Sequence, residues 1–190
     1  MAVCVISKGL EKSTACGYSL PQIVNIYLAN FADVKTTEIA APAKSGGTTG
    51  VEVKSITMDT GKQFYKVEPN KNSASWSDAL AVGGNNNKYR VHTVGFSFSL
   101  PTNPDMVDIV DGLSLGRFVA VLQLADGSYV MLGRQTGLEA EADGVNQTGS
   151  GDATAESGLA VSLTGNVTES AVPLSAEAIA TVTTPTPSAQ

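Results

Sequence analysis

The sequence predicts a mainly β protein, an antiparallel β-sandwich or barrel with one packed α-helix at about 104–114 and long loops suited to assembly. Three observations carry this prediction. Stretches of β-branched and aromatic residues recur along the first 164 residues, each bounded by Gly, Pro, Asn or Asp. Several of them alternate apolar with polar residues, the period of a half-buried strand. Only one stretch carries an apolar stripe at helical spacing.

In chain order, residues 22–28 form the first strand, starting just after Pro21, and residues 33–40 the second. A breaker stretch from Pro42 to Gly50 follows. Residues 51–57 alternate as a half-buried strand, Asp59-Thr60-Gly61 turns, and residues 62–68 return. Residues 69–88 are less regular, with a short strand from Trp76 to Val82 and a turn cluster from Gly83 to Asn87. Residues 89–100 give the strongest strand, with Val94, Phe96 and Phe98 on its core face. Asn103 then caps the helix, Pro104 occupies its first position, and Asp105 favours the positive end of its dipole. Met106, Val107, Ile109, Val110 and Leu113 supply the stripe, which predicts that Ile109 is buried.

Residues 117–124 and 129–133 form a hairpin across Asp126-Gly127. Residues 135–158, rich in Gly, Ala, Thr and acids, read as a long loop with one strand edge near 136–141. Residues 159–164 alternate cleanly as a late strand. The prediction is a single β-rich domain over 1–170 that opens with an N-terminal arm. Residues 171–190 are expected to be a C-terminal tail, mobile unless a neighbour holds it.

Composition limits the function. The 190 residues carry a net charge of −6 and a pI near 4.7, which argues against a general nucleic-acid binder. The charge is unevenly placed. Residues 1–100 hold ten bases and seven acids, whereas 101–190 hold two bases, Arg117 and Arg134, and eleven acids. Copies whose halves differ in sign can meet one another. No apolar run is long enough to span a membrane, and Met1–Lys8 shows no secretory signal, so Cys4 and Cys16 are expected as reduced thiols.

Nothing in the sequence assembles a catalytic set. His92 is the one histidine and falls on the core face of the strongest strand, as a buried structural histidine does. No phosphate loop and no nucleophile elbow occur. Asp105, Asp108 and Asp111 match the solvent face of the helix. Neither enzyme activity, nor a cofactor, nor a metal is expected.

Two stretches resemble a known family. One runs from Lys8-Gly9-Leu10 through Cys16-Gly17 to Ile23–Phe31. The other runs from Val119 to Pro173, through the Asp-Gly hairpin, Tyr129–Gly133, an acidic glycine-rich loop and Ser157–Gly165. The second is similar to the tail tube proteins of long-tailed bacteriophages, with Leu159 where small members of that family carry Tyr. The resemblance implies a virion structural protein whose copies self-assemble into stacked rings, usually hexameric, around a channel for genome ejection. Its expected partners are itself and other virion proteins. Double-stranded DNA would pass without specific binding, and no membrane is involved. The expected location is the phage tail, after assembly in the host cytoplasm.

The acid excess then suggests Glu139, Glu141 and Glu169 as lumen-facing residues, and the 71–87 stretch, with Lys71, Trp76, Asn85 and Asn87, as an inter-ring loop. The alternatives are another phage structural protein (head decoration, neck or tail terminator) or a carbohydrate-binding, adhesive β-sandwich. The last usually displays exposed aromatics, of which this chain has few and none beyond Tyr129.

Overall fold

The structure is a computed structural model and describes residues 22–40, 51–70, 72–99, 105–149 and 158–184. It is mainly β, with a large antiparallel sheet in a sandwich-like arrangement and two helices. The strands are β1 (Ile23–Asn30), β2 (Val34–Ala40), β3 (Glu52–Met58), β4 (Tyr65–Val67), β5 (Ser75–Val82), β6 (Lys88–Phe98), β7 (Arg117–Leu124), β8 (Tyr129–Leu132), β9 (Leu138–Thr148), β10 (Gly158–Val167) and β11 (Val172–Pro173). Helix α1 (Asp105–Leu115) joins β6 to β7, and α2 (Ala176–Thr183) follows β11.

The sheet runs β11–β8–β7–β9–β10–β6–β5, with β1 along the other flank of β7 and β4 outside β1. β2 and β3 form a separate ribbon. β7 explains this layout. Its sequence, Phe118-Val119-Ala120-Val121-Leu122, is apolar at every position, and all five residues are buried. A strand covered on one face would alternate; a continuous apolar run needs cover on both. Phe118, Ala120 and Leu122 enter a core enclosed with β1, β6, β8, β9 and β10, where Val94, Phe96, Leu159, Val161 and Leu163 meet them. Val119 and Val121 point the other way, into a second core closed by Val53 and Ile56 of the ribbon and by α2.

Several expectations are corrected. Residues 62–68 do not return along β3. Only Tyr65–Val67 form a strand, and it pairs with β1, while β3 pairs with β2. The loop expected over 135–158 is largely β9, an eleven-residue strand. Its alternation is masked by small residues and a bulge, where Ala140 pairs with Leu163 and Val145 with Val161, leaving 141–144 opposite Ser162. Asp143 there has φ +62°, and a Cβ on Gly144 would lie 2.7 Å from the Ser162 carbonyl oxygen.

Residues 176–183 form a second helix where a tail was expected. Ser175 caps it by accepting from the Ala178 amide, while Ala178 and Val182 are buried in the second core.

The apolar stripe of α1 is also narrower than its sequence suggests. Val110 and Leu113 pack on the first core, but Val107 and Ile109 are 62% and 43% exposed, so Ile109 is not buried. The caps expected at Asn103 and Pro104, and the two cysteines, lie outside the described residues.

Candidate functional site: an open-edged sheet with a small, polar outer face

β9, β10, β6 and β5 are successive antiparallel neighbours, so their side chains fall into rows across the sheet. One face is the first core. The other carries mostly small and polar residues, with Tyr89 and Val91 toward one end of β6. One row is Ser77, Thr93, Thr164 and Glu139, and the next is Ser75, Gly95 and Ser162. The Thr93 and Thr164 hydroxyls lie 3.3 Å apart. Glu141, at the start of the bulge, borders the same surface depression as Glu139 and Thr164 and is exposed. No outward position of the four strands holds a lysine or arginine. At the row's end Arg117 of β7 pairs with Glu139 and lies 5.8 Å above the Phe31 ring.

Neither lateral edge of this four-stranded unit is covered by a further strand along its length, although α1 packs against β9. Among the described residues, no strand pairs with the outer side of β5. β7 reaches only Leu138 and Glu139 of β9, leaving the far side of Ala140–Asn146 without a strand partner among those residues. The β5 edge exposes Trp76, Leu80 and Val82, the last two 60% and 58% exposed. Long apolar edges of this kind invite pairing with another chain.

The predicted site residues divide accordingly. Glu139 and Glu141 come together on the outer face. Glu169 is held elsewhere: Arg134 donates Nε to its Oε1 at 2.8 Å and Nη2 to its Oε2, and also donates Nη1 to the Thr37 hydroxyl on β2. With side chains only 16% and 18% exposed, Glu169 and Arg134 form an anchor between the end of β10 and the ribbon. Glu169→Lys is therefore expected to lower unfolding free energy by about 1–3 kcal/mol, while Glu141→Lys leaves it nearly unchanged. Urea midpoints of the two variants check this.

Trp76 and the asparagines do not share a loop. Trp76 lies near the start of β5, whereas Asn85 and Asn87 lie in the tight β5–β6 turn, about 20 Å along the strand. Lys71 lies outside the described residues. The strand expected within this stretch at Trp76–Val82 is present as β5, an edge strand, so the four residues do not form one loop.

A buried polar cluster backs β5 and has no motif in the sequence. Arg90 donates Nε to Asp78 Oδ1 and Nη2 to the Asp78 carbonyl, and the Ala171 amide donates to Asp78 Oδ2 at 2.9 Å. Burial pushes the Asp78 carboxyl up, but Arg90 and the Ala171 amide more than offset this and hold it below its ordinary value. His92 is buried, as expected, with Nδ1 accepting from the Gly133 amide at 3.2 Å. That bond assigns the proton to Nε2, which faces Asp78.

An apolar groove of about 480 Å³ lies between α1, β1 and β4, lined by Leu28, Phe96, Phe98, Ile109 and Phe118. Among the described residues no three His, Cys, Asp or Glu side chains gather as metal ligands, and no helix is long and apolar enough to cross a membrane. No protein-family pattern, no curated protein and no solved structure matches this chain.

Proposed function

We propose that this protein is a virion structural subunit, the tail tube protein of a long-tailed bacteriophage. Copies join side by side into rings, hexameric by analogy with the family it resembles, and the rings stack around a channel for double-stranded DNA. The observation that supports this best is the four-stranded unit of β5, β6, β10 and β9, which has no strand beyond β5 and none along most of β9 among the described residues, and is mostly small and polar on its outer face. Pairing β5 of one copy with β9 of the next satisfies backbone groups that a monomer leaves to water, and a closed ring leaves no edge.

The outer face would then line the channel. DNA carries one charge per about 1.7 Å of axis, and a surface without free cations cannot neutralise it. Glu139 is neutralised by Arg117, so Glu141 is the carboxylate that adds repulsion, acting within a Debye length of about 8 Å at physiological salt, and the duplex slides without binding. Other virion proteins would meet the ends of the tube, and assembly would take place in the host cytoplasm. Head-decoration, neck and terminator roles differ in producing no continuous tube. Negative-stain microscopy of the purified protein is expected to show rings or tubes. Discrete monomers at all concentrations would contradict the proposal.

A further inference from the structure

Asp78 is the only charged residue of β5, and the strand turns it inward. From inside the sheet it is held by Arg90 of β6 and by the Ala171 amide beyond β10. Behind it His92 is 1% exposed, its Nε2 lies 3.5 Å from Asp78 Oδ1, and the Glu169 backbone also faces the ring. The charged groups around this imidazole are Asp78 from β5, Arg90 from β6 and Glu169 from the segment after β10, the last held by Arg134.

We propose that His92 is a proton-operated latch on the edge strand: neutral, it lets Asp78 keep β5 closed on β6, and protonated, it releases β5. That this release also opens a lateral joint between copies rests on the function proposed above. The release itself does not.

Two features of the site make the proton costly. Nε2 already carries a proton, so a second enters at Nδ1. Nδ1 accepts from the buried Gly133 amide, and protonation would set two donors against each other. Gly133 cannot easily swing away. Its φ is +70°, and a Cβ there would lie 2.6 Å from Leu138 Cγ, so the turn is fitted to glycine.

The second feature is charge balance. Asp78 is matched by Arg90 and Glu169 by Arg134, so the four groups are already neutral. An imidazolium would be one uncompensated positive charge in a buried site. To relax, it must compete with Arg90 and Ala171 for the Asp78 carboxylate or move outward between β5 and β6. Either change loosens the strand.

Burial likewise pushes the His92 value below its ordinary 6.5, an effect that the attraction of Asp78 and Glu169 only partly offsets. Because the folded value is the lower one, the unfolded chain takes the proton first. The latch is therefore whole above the ordinary imidazole value, and its contribution is lost as pH falls from there through the lower folded value of His92. Asp78 stays ionised throughout that range.

His92 is the sole histidine, so its ring signals in proton NMR are unambiguous. Amide exchange of the monomer would be measured from about pH 7.5, above the ordinary imidazole range, down through the His92 ring transition located by NMR, and corrected for the intrinsic pH dependence of exchange. Protection across 75–82 is expected to fall several-fold relative to β7 in step with titration of the His92 ring. His92→Gln, neutral throughout, is expected to remove that difference. If the latch opens while rings persist in acid, the lateral joint lies elsewhere and the latch stands. Should His92→Gln fail to fold, the wild-type titration decides alone. The latch is overturned by unchanged protection of β5 across the His92 transition, or by an equal loss in a folded His92→Gln.

Discussion

Met131→Ala and Leu132→Ala are each expected to lower the unfolding free energy by about 2–5 kcal/mol, a large part of the about 5–15 kcal/mol typical of a whole domain. The two residues are adjacent on β8 and point to opposite faces. Met131 is 1% exposed in the core shared with the ribbon and α2, and Leu132 is 0% exposed in the core shared with β10 and β6. In a sheet covered on one side only, one of two neighbours would lie in solvent and its truncation would cost little. Urea unfolding of both variants measures the difference directly. A Met131→Ala midpoint equal to wild type would mean that ribbon and helix merely rest on the sheet.

Proline at Ala79 or at Leu80 is expected to separate folding from assembly. Neighbouring residues of an antiparallel strand send their N–H groups to opposite sides. One of this pair therefore bonds to β6, and the other points to the open side of β5. Proline at the inward position removes a ladder bond and lowers thermal stability. Proline at the outward position leaves the fold intact and removes a donor that the next copy would need. The expected result is one variant with a wild-type melting temperature that forms neither rings nor tubes under the microscope. Normal tubes from that well-folded variant would exclude β5 as a lateral joint.

The elements most legible in the sequence are those whose side-chain pattern states their burial. β6 and β10 alternate, and their even or odd faces enter the core as the pattern implies. The hairpin at Asp126-Gly127 follows from local chemistry: Gly127 has φ +84°, and the Asp126 carboxylate accepts from the amide and hydroxyl of Ser128. β9 was hidden because Ala140, Asp143 and Gly144 supply little apolar signal around its bulge. α2 was hidden because alanine fills a core position as quietly as it fills a loop. Non-local pairing was beyond reach: nothing near Tyr65 announces that it meets Leu28 rather than β3.

The site divides in the same way. That Glu139 and Glu141 lie close together follows from their nearness in the chain. That Arg117 and Arg134 hold Glu139 and Glu169, or that Asp78 meets Arg90 and His92, depends on register between strands, which no local pattern encodes.

The position of β7 between β1 and the β8–β9 edge also sets an order of events during synthesis. β8 follows β7 almost at once and can pair with it as soon as both are made. β1 must wait, because its long partner begins at Arg117 and its other neighbour, β4, offers three residues. At about 5–20 residues per second, that delay is on the order of 5–20 s on the ribosome. Through that interval Ile26 and Leu28 face one unfinished interior while Tyr27 and Ala29 face another. The nascent first half, carrying most of the chain's positive charge, thus leaves the ribosome before it can close, and both interiors are completed by the acidic half that follows.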